Sequence, residues 1–210
     1  MGPALRLLIW LLVLQLAGCA ALPHDAPSWK PVSSVLDARQ RHVVVQQWDL
    51  SCGAASLATL MNYQHGESLQ EKAIAESMLR RTNPLTVRVK GGFSLLDLKR
   101  FVEAHGYQGK GYMKLRFDQL LAFQPAIVPV NLGDYHHFVV FRGAVGDKVL
   151  LADPAFGNRT VSRSDFEQGW AANIAFVVRR RDGLAPPSVL GVEPVDFVRV
   201  PSAMLRQALH

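Results

Sequence analysis

"QQWDLSCGAASL", residues 46–57, sets polar residues before a cysteine and small residues after it. From Cys52 onward, Ala55, Leu57, Ala58, Leu60 and Met61 recur at mixed three- and four-residue spacing, which predicts a buried helix that begins at the cysteine. Upstream, "RHVVVQQ" (41–47) is a β-branched run that predicts a short strand. A thiol is a good nucleophile only as a thiolate, and both a helix start and a nearby imidazolium favour that form. A lone cysteine can equally be a small buried hydrophobe. What the rest of the chain can bring to Cys52 decides between the two.

Two further helices are well marked. "SLQEKAIAESMLRR" (68–81) opens with a capping-box pair, Ser68 and Glu71. "FSLLDLKRFVEAHG" (93–106) opens with Ser94 and Asp97, has Phe93 and Leu98 where a hydrophobic staple sits, and has Gly106 to end it. A short helix is expected near Phe117 to Phe123. After Pro125 the period changes to two. "AIVPVNL" (126–132), "HFVVFRG" (137–143), "KVLLADP" (148–154) and "NIAFVVRR" (173–180) read as strands, with a small helix around Asp165 to Trp170 before the last. Helices first and an antiparallel sheet second make the fold class α+β.

The chain has seven histidines. His24 lies near the N-terminus and His210 is the last residue. His42 starts a predicted strand, and His65 and His105 sit at helix ends. His136 and His137, in "GDYHHFVVFRG", remain. Neighbours in a strand face opposite sides, so His137 shares a face with Val139 and Phe141. If the turn to the next strand centres on position 145, Asp153 stands directly opposite His137, with Cβ atoms about 4.5–5.5 Å apart. A carboxylate there would fix the imidazole's tautomer and stabilise its charged form, completing a nucleophile, base and orienter. An oxyanion needs donors: the Cys52 N–H is one, and the side-chain amide of Gln46 or Gln47 is the other. Each part has a plainer explanation, since strand histidines are often structural and Asp153-Pro154 is also a turn signal.

The N-terminal "MGPALRLLIWLLVLQLAGCA" has one positive charge, Arg6, then an apolar run too short to span a membrane comfortably. It reads as a signal-peptide core. It ends in Leu16-Ala17-Gly18-Cys19, which resembles a bacterial lipobox, and that resemblance implies lipidation at Cys19. The expected organisation is a lipoprotein signal peptide at 1–18, a lipidated tether at 19–40, the catalytic domain at 41–180 and a weakly patterned tail at 181–210. The chain has two cysteines, so lipid on Cys19 leaves Cys52 without an intramolecular partner. Hydrophobic residues at 49% and charged residues at 19% exclude a disordered chain. The net charge of +6 comes without a Lys/Arg run of the kind that binds nucleic acid, so no nucleic-acid partner is expected.

The chain resembles the C39 cysteine peptidases, the family of bacteriocin-processing, double-glycine leader peptidases. That family shows a Gln five residues before an Asp/Ser-Cys-Gly-Ala-Ala segment, a His before an aromatic-Val-Val run, and an Asp before Pro. Gln46, Cys52-Gly53-Ala54-Ala55, His137-Phe138-Val139-Val140 and Asp153-Pro154 match it. The resemblance covers about residues 40 to 180. It implies a papain-like fold with Cys52 as nucleophile, His137 as base, Asp153 as orienter and Gln46, in preference to Gln47, as oxyanion donor. No cofactor and no metal are expected. Exporter-borne members are fused to membrane helices and an ATPase, whereas this chain has no further span and no phosphate-binding loop. It looks more like the stand-alone lipoprotein type, some of which accompany functional-amyloid export systems. The expected function is cleavage of a peptide or protein substrate, with the end of a Gly-Gly leader as a candidate cut site. The expected place is the periplasmic side of the outer membrane, held by the lipid, with an export-system component as a candidate partner. The competing reading is a lipoprotein of this fold that binds a peptide or export partner without cutting it. A transferase using the same thioester chemistry is a third.

Overall fold

The computed structural model describes residues 34–132, 135–184 and 188–192. The signal peptide, Cys19 and most of the expected tether lie outside them. Residues 35–40, expected to end the tether, instead form helix α1 (Val35–Gln40), capped reciprocally by Ser34 and Asp37. It is fastened to the domain: Arg39 Nη2 donates to Phe156 O at 3.0 Å, and Asn158 Nδ2 donates to Arg41 O at 2.7 Å.

The strand expected at 41–47 does not form a ladder. Its amides bond elsewhere: Val44 N–H to Thr59 Oγ1 at 2.9 Å and Gln46 N–H to Pro154 O at 2.8 Å. Helix α2 (Cys52–His65) follows and ends at Gly66 in the left-handed conformation, φ +76°. It is buried on nearly every side, as its small and apolar composition requires. Helix α3 (Glu71–Leu79) begins without the expected capping box, because Glu71 turns inward to other partners. Helix α4 (Pro84–Lys90) was not expected from its β-branched residues. It has an Asn83 cap on Leu85 N, Pro84 in its first turn and Gly91 at its end. Helix α5 (Leu95–Ala104) carries the expected Ser94–Asp97 capping box, with Phe93 and Leu98 buried in the core below it.

The sheet has six antiparallel strands in the order β1-β6-β2-β3-β4-β5. These are β1 (Tyr107–Tyr112), β2 (Ala126–Leu132), β3 (Tyr135–Val145), β4 (Lys148–Asp153), β5 (Gly157–Ser162) and β6 (Ala175–Arg180). Strands β1 and β5 add to the four expected. Helices α6 (Phe117–Leu121) and α7 (Arg163–Gly169) lie near the two helical stretches expected there. The period of two sorts the strand residues between two cores. Ile127, Val140, Ala152 and Phe176 pack with α2, α3 and α5. Val128, Val139, Leu151 and Val177 pack with Phe117, Phe166 and Trp170. Phe176 and Phe141, each essentially fully buried, anchor one core apiece, and truncating either to Ala costs about 3–5 kcal/mol.

The β3–β4 register corrects the expected one. Val145 pairs with Lys148, so the turn is Gly146-Asp147, and a bulge interrupts the ladder between Phe141 and Gly143. Val140 pairs with Ala152, which puts Asp153 one step beyond, opposite Val139 and diagonal to His137. Gly143 is required at the bulge: with φ +150°, a Cβ there would lie 2.4 Å from Gln124 Oε1.

Part of the expected tail belongs to the domain. Leu190 is fully buried, Val189 N–H donates to Tyr63 O, and the buried Arg142 donates to Leu190 O at 3.0 Å and Gly191 O at 2.9 Å.

Candidate active site

Cys52 is the first residue of α2 and is 2% exposed. The small residues after it let the helix start press against the sheet. A Cβ on Gly53 would sit 3.3 Å from Leu98 and 3.4 Å from Phe138, and Ser56 Oγ donates to Phe138 O at 2.9 Å. The helix is thereby bonded to β3 beside His137.

The His137 ring is buried, and its Nε2 lies 2.8 Å from Asp153 Oδ1. A diagonal pair on one face is within reach of a side chain of this length, so the pairing survives the shifted register. With Nε2–H given to Asp153, Nδ1 is the nitrogen for the thiol. Burial by itself would lower the His137 pKa. Hydrogen bonds with Asp153 and Cys52, and the charges of both, outweigh it and raise the pKa to about 9. Burial of Asp153 would raise its pKa. The hydrogen bond and charge of His137, the Ala155 N–H at 2.9 Å and Arg159 at 3.3 Å together hold it below the usual carboxylate value.

His136, one residue away, is exposed, with Nδ1 2.7 Å from Asn131 Oδ1. The two candidate glutamines also separate. Gln46 is half-buried and its Nε2 donates to Trp48 O at 3.1 Å, which leaves one amide hydrogen for another acceptor. Gln47 is exposed. Cys52, His137 and Asp153 thus come together, with Gln46 held six residues upstream of the thiol on the same loop.

Reading the sequence missed Glu71. It is 4% exposed, and both its carboxyl oxygens accept the Gln47 N–H, at 3.1 and 3.0 Å. Ser51 Oγ bonds to it as well. The only signal was a glutamate in the first turn of a helix, which capping explained equally well.

Beside the loop at residues 48–51 lies an apolar groove of about 560 Å³, walled by Trp48, Leu50, Leu79, Leu85, Val87 and Phe93. Among the described residues, no group of three or more His, Cys, Asp or Glu could hold a metal ion, and no helix is long and apolar enough to cross a membrane.

The model of the Peptidase C39 family matches residues 40–182. A protein of Pseudomonas aeruginosa described as a probable functional amyloid protease, FapD, is 36% identical over 179 residues, covering 85% of this chain and 78% of its own. A protein of Pseudomonas fluorescens with the same description is 39% identical over 152 residues, covering 72% of this chain and 66% of its own. Among solved structures, a double glycine motif protease from an AMS/PCAT transporter, in complex with the leader peptide, superposes with a TM-score of 0.55 at 24% identity. It covers 66% of this chain and 90% of its own. The peptidase domain of Streptococcus ComA superposes at 0.56 and 20% identity, covering 66% and 98%. These likenesses bear out the α+β, papain-like fold.

Proposed function

The chain belongs to the peptidase C39 family and is a cysteine peptidase, and on that premise we propose that Cys52, His137, Asp153 and Gln46 carry its chemistry. The observation that supports this most is the buried His137, its Nε2 2.8 Å from Asp153 Oδ1 and its charged form favoured by both Asp153 and Cys52. The Cys52 thiolate attacks the scissile carbonyl carbon, and the carbonyl oxygen takes the negative charge. That oxyanion accepts from the Cys52 N–H and from the spare amide hydrogen of Gln46. Protonated His137 gives its Nδ1 proton to the leaving amine, and a thioester remains on Cys52. Water, deprotonated by His137, then attacks the thioester and releases the acid product. Asp153 keeps the ring oriented and its charged form stable throughout.

The substrate is a peptide or protein of the cell envelope, with the end of a Gly-Gly leader as a candidate cut site, and a protein of a functional-amyloid system is the candidate that the two Pseudomonas relatives' descriptions support. The apolar groove beside residues 48–51 would receive apolar side chains near the cut. The place of action is the periplasmic side of the outer membrane, held by lipid on Cys19, a reading supported by Leu16-Ala17-Gly18-Cys19 and by Ala20 after it.

Peptides released into the envelope and medium are compared between cells with the intact protein and with Cys52→Ala. Fragments lost only in the variant identify the substrate, and identical profiles would refute the proteolytic role. Mass spectrometry of the mature N-terminus tests the anchor, and an unmodified start at any other residue would sink it.

A further inference from the structure

We propose that Glu71 is a positioning residue that sets the loop before Cys52 for oxyanion stabilisation. The inference rests on the reading of Cys52 as nucleophile and Gln46 as donor. Ser51 is the N-cap of α2, where a serine hydroxyl ordinarily accepts from a first-turn amide. It makes no such bond. Its Oγ points away from the helix, to Glu71 and to Trp48 O at 2.6 Å. The first-turn amides beside the thiol therefore have no Ser51 oxygen competing for them. Trp48 O also accepts the Gln46 Nε2–H at 3.1 Å, so the donor amide is linked through Trp48 and Ser51 to Glu71. Glu71 grips the same arc a second time at the Gln47 N–H. One buried carboxyl group thus spans the segment that has the donor at one end and the nucleophile at the other. It reaches no reacting atom itself.

The experiment uses the full chain and two small thiol probes. With p-nitrophenyl acetate, Cys52 Sγ bonds to the acetyl carbon and the oxyanion forms. p-Nitrophenolate then leaves with the C–O electron pair, and water later hydrolyses the acetyl thioester. With iodoacetamide, Sγ displaces iodide from a saturated carbon and no oxyanion forms. Misplacing reacting groups by about an ångström typically costs ~10²-fold. Glu71→Ala is therefore expected to lower the acylation rate by about that factor, with alkylation staying within about threefold. Glu71→Gln keeps one acceptor oxygen and is expected to fall between the two. Ser51→Ala, which guards against a Glu71→Ala protein that does not fold, is expected to lower acylation alone by about tenfold.

A merely structural role would lower both rates together with the melting temperature, and that result overturns the proposal. So does an unchanged ratio of acylation to alkylation in Glu71→Gln and Ser51→Ala. If Gln46→Ala lowers the ratio and the Glu71 variants do not, only the role of Glu71 fails. If the wild-type protein is alkylated at Cys52 but never acylated, the underlying reading of the site fails with it.

Discussion

His137 and Asp153 stand on adjacent strands of a hydrogen-bonded ladder, whereas Gln46, Trp48 and Ser51 stand on a segment that has no ladder. The sheet side is buried and pairs two charge-bearing groups permanently, and burial makes that pairing strong. The loop side, in the role proposed for Gln46, meets a charge that exists only in the transition state. It is held by a few bonds from side chains, chiefly those of Glu71 and Ser51. On the proposed roles, standing charge and transient charge are served by two kinds of scaffold, and substitutions on the two sides should fail differently.

The largest effects are expected where the chemistry has no substitute. Cys52→Ala and His137→Ala should each abolish turnover in a peptide-cleavage assay, while His136→Ala, on the exposed face of the same strand, should stay within about twofold of wild type. Equal loss in both histidine variants, with both still folded, would erase the distinction between the faces. Next comes Asp153, the proposed orienter. Asp153→Ala removes position and charge together and should lower kcat/KM by about 10³-fold or more. Asp153→Asn keeps an acceptor for the ring and should be milder.

That variant also moves the pH profile. The His137 pKa is raised to about 9, so its proton is held below that pH and lost as pH rises through it. Wild-type activity should therefore fall above about 9. In Asp153→Asn one of the two stabilising partners loses its charge, burial counts for more, and the alkaline limb should move to lower pH. A limb that stays in place would separate the imidazole's charge from its carboxylate.

On the loop side, Gln46→Ala should cost about 10²–10³ in rate and leave alkylation of Cys52 near the wild-type value. Gln47→Ala should be mild, and a larger loss there than at Gln46 would reverse the assignment. The smallest effect is expected at Arg159. Its contact with Asp153 is 3.3 Å and a third of its side chain is exposed, so Arg159→Ala should cost about threefold or less.

Much of this arrangement was legible because periodic burial leaves a pattern. The helix at Cys52, the Ser94–Asp97 helix and the four apolar strands all announce themselves by spacing. The failures have local causes. Register was misplaced because the hairpin turns at Gly146-Asp147 and not around position 145, and the bulge between Phe141 and Gly143 offsets only part of that shift. Strand β1 has two glycines and no β-branched residue. Gly109 is there because a Cβ would lie 2.8 Å from both Phe176 and Val102, a constraint set by the partner strand and helix. Strand β5 is half-exposed and polar, so alternation is faint. Glu71 was assigned to its own helix when its partners lie 20 and 24 residues upstream. Gln46 and Gln47 were separable only through the family likeness. The fold separates them physically, turning one inward and the other out.

The hydrogen bond from Gln46 N–H to Pro154 O has a mechanical meaning. Pro154 follows Asp153 directly, so the backbone of Gln46, the proposed donor, is pinned to the residue next to the His137-bound carboxylate. A cleft between a helical layer and a sheet could breathe like a hinge, and its two jaws would then drift apart between turnovers. Here the Gln46 amide and the Ser56 hydroxyl, 2.9 Å from Phe138 O, both tie the helical side to the sheet. Parting the two walls would therefore mean breaking both bonds at once, one beside Asp153 and the other beside His137.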